Sequence, residues 1–84
     1  MSSKSEKLLR ERERLKRAMI AVAKASREDA DLSRLELAER LGLTYSQIVN
    51  MEHGRRAMSF VDFVLLAKAI GKDPAELIKR VVNW

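Results

Sequence analysis

Residues 32–56 read LSRLELAERLGLTYSQIVNMEHGRR. Two helix starts are written into this stretch. Ser33 and Glu36 stand at capping-box spacing: the hydroxyl accepts from the backbone N–H of residue 36, and the carboxylate accepts from that of residue 33. Thr44 and Gln47 repeat the device. Leu32 with Leu37, and Leu43 with Ile48, fall where a hydrophobic staple closes across each cap. Gly42 and Gly54 each follow an apolar-periodic run, where a helix ends in the left-handed conformation. The stretch therefore predicts two short helices, 33–41 and 45–53, joined by a tight turn at Gly42.

The same punctuation continues outward. Ser59 and Asp62 form a looser third start, flanked by Met58 and Phe63. Asp73-Pro74 is a fourth, a cap followed by proline at the first helical position. Gly71 is a further stop. Together these signals predict five helices, at 4–27, 33–41, 45–53, 60–70 and 74–83. Residues 28–31 (EDAD) form a polar connection. No segment alternates with period two, so no strand is expected and the fold class is all-α. Phe60, Phe63, Val64, Ala67 and Ile70 are the expected core of helix four. Leu8, Leu15, Met19 and Val22 are expected in the core or at an interface.

Composition narrows the function. Eighty-four residues suit a single domain, 1–84, with one modest core and no space for a separate sensor or effector domain. There is no cysteine, hence no disulfide framework, thiolate metal site or thiol nucleophile, which fits a reducing cytosol. No apolar run approaches the ~20 residues of a membrane span, and the N-terminus lacks the apolar centre of a signal peptide. One histidine, and no carboxylate pair set for a pocket, leave no chemistry for an enzyme. No metal, cofactor or small-molecule ligand is expected. The net charge is +5. Residues 1–17 hold seven Lys/Arg against three Glu, and the remainder holds ten bases against nine acids. A basic excess suits a polyanion without selecting one. The stretch KSEKLLRERERLKR also reads as a solvated helix with i,i+4 pairs such as Glu6–Arg10 and Glu13–Arg17.

The third helix, wound at about 100° per residue, separates into two faces. Ile48, Met51 and Glu52 fall on one side. Ser46, Asn50 and His53 fall on the other, with Val49 at its edge and Tyr45 at the N-terminal end. An ordinary surface helix carries Lys, Glu or Arg outward; this face carries none. Short polar groups, a phenol and a branched apolar group are what base-edge readout uses: asparagine bonds adenine in a bidentate way, serine serves either role, and valine touches a thymine methyl. Ala38 is the small residue where helices two and three cross most closely. A larger group at 38, or any Cβ at 42, is expected to strain that crossing. This is the layout of a helix-turn-helix, with its core at 33–53.

On these residues the chain resembles the lambda-repressor-like (Cro/cI, or xenobiotic-response-element) helix-turn-helix family. Residues 32–56 are similar to its L-S-x-x-x-L-A-x-x-x-G pattern and the I-x-x-x-E-x-G that follows. FVDFVLLAKAIGKDPAEL is similar to its fourth helix and the start of its fifth, so the likeness covers roughly 32–78. The resemblance implies a compact five-helix DNA-binding domain with, here, a long first helix. It implies base readout by Tyr45, Ser46 and Asn50, to which the face analysis adds Val49. It implies backbone contact by Arg34, by Thr44 and Gln47 flanking the groove, and by His53, Arg55 and Arg56. The Glu52 position pairs in the family with a base from helix one; Arg17, Lys24 and Arg27 all remain open for it. Arg34 and Tyr45 replace the glutamines often found at the first positions of helices two and three. The EDAD connection has the look of an insertion.

The last helix, 74–83, ends in a run of apolar groups. Leu77, Ile78, Val81, Val82 and Trp84 are expected to form the seam of a two-fold dimer. Such a dimer would read a pseudo-palindromic operator in double-stranded DNA. The resemblance implies a cytoplasmic transcription regulator of phage, plasmid, restriction-controller or antitoxin type, acting as repressor or autoregulator. RNA polymerase or a cognate toxin would be further partners. The rival reading is a protein-interaction module on the same fold that no longer binds DNA.

Overall fold

Each of the four short helices begins at a side chain that caps it. The computed structural model describes residues 4–84 and contains α1 (Lys4–Asp29), α2 (Arg34–Leu41), α3 (Tyr45–Glu52), α4 (Phe60–Ala69) and α5 (Pro74–Val82), with no strand among the described residues. Ser33, Thr44 and Ser59 each close a full capping box, with Glu36, Gln47 and Asp62. Asp73 caps α5 by accepting from Ala75 N–H at 3.0 Å, with Pro74 in the first turn. Each such cap satisfies helix N–H groups that have no partner inside the helix.

The helix ends repeat a second motif. At Gly42 (φ +69) the Leu43 N–H donates to the Ala38 carbonyl at 2.9 Å, and the Gly42 N–H to that of Glu39 at 3.3 Å. This is the paired bonding of a Schellman stop. A Cβ at 42 would meet nothing within 4 Å. The expected steric strain at the crossing is therefore absent, and a substitution there would strain only the left-handed backbone. Half of the EDAD segment is helical and not a connection. Glu28 and Asp29 extend α1, and Asp31 (φ +55) ends it without a glycine. Leu32 N–H donates to Arg27 O at 3.2 Å and Asp31 N–H to Glu28 O at 3.0 Å. Aspartate is among the few residues that tolerate this region.

One apolar core joins all five helices through Val22, Leu37, Ile48, Met51, Phe63, Leu66 and Leu77. α1 packs on α3, α4 and α5; α2 packs on α3 and α4; α4 packs on α5. Two positions expected in the core of helix four do not join it: Phe60 is 66% exposed and Val64 is half-buried outside the core cluster. Leu8, expected in the core or at an interface, is 68% exposed. Phe60 opens the first turn of α4, one turn ahead of the buried Phe63, and almost every residue of that turn is apolar, so periodicity does not pick its inner face. Leu8 precedes the buried part of α1 and lies at the rim of an open groove with Phe60 and Val82. Twenty-six residues make α1 about 39 Å long, within a molecule 48 × 25 × 18 Å. All the buried residues of α1 lie between Ala18 and Arg27.

Candidate nucleic-acid interface

α3 is clamped by its inner face and its first turn. Ile48, Met51 and Glu52 are buried. Tyr45, Ser46 and His53 are exposed, and Val49 and Asn50 are half-buried at the edges of the outer face. The Thr44 hydroxyl accepts from Gln47 N–H at 3.1 Å, and the Gln47 side-chain oxygen accepts from Thr44 N–H at 2.9 Å. Both residues thus serve the cap first, and Gln47 retains its amide NH2 donors.

Glu52 anchors the other end. Arg27 of α1, 7% exposed, donates from Nε to one carboxylate oxygen at 2.6 Å and from Nη2 to the other at 3.2 Å. Its Nη1 donates to Leu32 O at 2.8 Å, which fastens the α1–α2 turn. Of the three bases left open by sequence, Arg27 is therefore the partner. Arg34 is a second: its Nε donates to Glu52 at 2.8 Å. Burial pushes the Glu52 carboxyl up, but the hydrogen bonds and charges of Arg27 and Arg34 outweigh it and hold the group below the usual carboxylate range. One carboxylate so ties α1, α2 and α3 together. Glu52 first, and then the Tyr45 phenol, push the Arg34 pKa further up. Arg34 is held by Glu52, and its five donors exceed what that carboxylate uses.

The loop after α3 turns on the Asn50 carbonyl, which accepts from the N–H groups of Arg55 at 2.8 Å and Arg56 at 3.1 Å. The Asn50 side-chain amide makes no hydrogen bond to any described residue. Gly54 passes close to α1, with Ile20 Cδ1 3.6 Å from where a Cβ would stand. Arg17 and Lys16 of α1 consequently share a cleft of about 370 Å³ with Arg56. Sequence reasoning did not place these two α1 bases near the loop, because the connection depends on how α1 crosses α3.

The expected dimer seam divides. Leu77 (2% exposed) and Val81 belong to the chain's own core and are not available as seam residues. Their spacing of four puts them on the inner face of α5. Ile78 is half-buried, and Val82 and Trp84 are exposed. Arg14 of α1 donates to the Trp84 carbonyl at 2.9 Å and to that of Val82 at 3.3 Å. This fastens the end of α5 along α1.

Among the described residues no group of His, Asp and Glu could hold a metal ion, and no helix is long and apolar enough to cross a membrane. No significant match is found among curated proteins or solved structures. A helix-turn-helix family model matches residues 24–77. The match covers well over half the chain and contains every element from the last turns of α1 to the middle of α5. The chain belongs to the lambda-repressor-like (Cro/cI-like) helix-turn-helix family, a family of DNA-binding transcription regulators.

Proposed function

We propose that this chain is a single-domain, cytoplasmic regulator that binds a pseudo-palindromic operator as a homodimer, with α3 in the major groove. Tyr45, Ser46, Val49 and Asn50 read base edges. Arg34, Thr44, Gln47, His53, Arg55 and Arg56 contact the sugar–phosphate backbone. The observation that carries this reading is the outer face of α3: it presents no Lys, Arg, Asp or Glu, the Asn50 side-chain amide makes no hydrogen bond to any described residue, and the helix is fixed from its inner face by Glu52. Phosphate contacts supply affinity and salt dependence; the groove residues supply sequence choice. By occluding a promoter that contains its site, such a dimer acts as a repressor or autoregulator.

Selection of bound duplexes from a randomised pool tests this. The expected result is one inverted-repeat sequence with half-sites about 34 Å apart. Its affinity should fall with salt by about 0.9 log units per log unit for each phosphate contacted. Recovery of no consensus, with binding equal to that of the unselected pool, would refute it.

A further inference from the structure

The apolar stripe of α1 does not stop where the protein's own core stops. Leu15, Met19 and Val22 follow one another at helical spacing and pack into or against the core. Leu8 stands one heptad before Leu15 on the same stripe, yet is solvent-exposed. Phe60 at the start of α4 and Val82 at the end of α5, also exposed, stand beside it. With Ile78 they border an open groove of about 510 Å³ that runs from Leu8 to Met19. Eleven residues of helix make that about 16 Å, or three turns. Glu11, Arg12 and Lys16 are its charged members. All the α1 residues of the groove precede residue 24, where the family match begins. An apolar surface this continuous marks an association site.

We infer that this groove is the seam between two copies of the chain, each filled by residues 4–15 of the other's α1, running antiparallel. The occupant must be about three turns long, apolar along one stripe and charge-complementary in the middle. The overhanging end of α1 meets all three conditions. With a two-fold axis between Glu11 and Arg12, Leu8 faces the second copy's Leu15, and Arg12 faces the second copy's Glu11, one of whose carboxylate oxygens is already held by Arg14 of its own chain. Each pairing occurs twice. The parallel arrangement in register would set Arg12 against Arg12 and Glu11 against Glu11, which like-charge repulsion disfavours. The seam involves α1, α4 and α5 and leaves the outer face of α3 free. The inference rests on the dimeric reading above and replaces the α5 seam with a groove in which α5 is one wall.

Sedimentation equilibrium on the full chain tests it. The wild type should dimerise. Leu8→Arg, at a position too exposed to disturb the fold, should weaken the dimer about 100-fold, because two leucines lose their burial, with unchanged helical circular dichroism. Arg12→Glu, which leaves the Glu11–Arg14 pair in place, should weaken it about tenfold through two repulsive pairs. A Leu8→Arg or Arg12→Glu protein that dimerises as tightly as the wild type overturns this seam while leaving the dimeric reading intact. A wild type that stays monomeric while bound to its selected DNA overturns both.

Discussion

The two ends of this molecule expose themselves to water in opposite ways. At the α2–α3 end the outward groups are Tyr45, Ser46, Asn50 and Arg34, set on a frame that the Arg27–Glu52–Arg34 cluster makes rigid. At the α1–α5 end the outward groups are Leu8, Phe60, Val82 and Trp84. A polar face is content in water until a ligand replaces that water bond for bond. An apolar groove is unfavourable until something covers it. On the readings proposed above, the first selects among similar partners and the second holds a fixed one. The family match follows the same division: it contains the whole polar end and begins at residue 24, after the α1 residues that line the apolar one.

The sharpest way to break this contrast uses two phenylalanines one turn apart. Phe63 is a fully buried core residue, whereas Phe60 is exposed. Phe63→Ala should destabilise the protein by about 3–5 kcal/mol. Phe60→Ala should change stability by less than about 0.5 kcal/mol. Both are measured by urea unfolding in the Leu8→Arg background, so that self-association does not enter. Equal effects would erase the distinction between core and groove.

Glu52 probes the polar end. Glu52→Gln leaves the buried Arg27 without its counter-ion and should destabilise by about 3 kcal/mol at pH 7. The pH dependence carries the sign. The folded carboxyl titrates below its ordinary value of 4.5, so the unfolded chain binds protons first as pH falls. The stabilisation is complete above about pH 5 and is lost as pH drops through the lowered value. Unfolding curves of wild type and Glu52→Gln should converge in that acid range. A gap that persists unchanged below it would show that the charge on Glu52 is not what braces α3.

Much of this arrangement is legible in the chain itself because caps are local. Ser33–Glu36, Thr44–Gln47 and Ser59–Asp62 fix three helix starts to within a residue, and all three boxes form. The two faces of α3 follow from helical periodicity alone, and Ile48, Met51 and Glu52 are the buried ones. What escapes is set by how distant elements cross. Spacing cannot rank Arg17, Lys24 and Arg27 as partners of Glu52, since the choice depends on where α1 passes α3. Arg34, which the resemblance points toward phosphate, is also the carboxylate's second partner. Asp31 ends α1 in a conformation that sequence signals assign to glycine. Leu77 and Val81 look like surplus apolar residues until α1 and α4 are placed against them.

Asn50 tests the central claim, that the outer face of α3 reads DNA, most directly. Site selection is repeated with Asn50→Ala, and binding to single-base variants of the wild-type site is measured at fixed salt. The expected result is relaxed preference at one base pair in each half-site, worth about 1–3 kcal/mol, with the rest of the consensus and the salt dependence preserved. An Asn50→Ala protein that selects the wild-type consensus with undiminished preference at every position would contradict it.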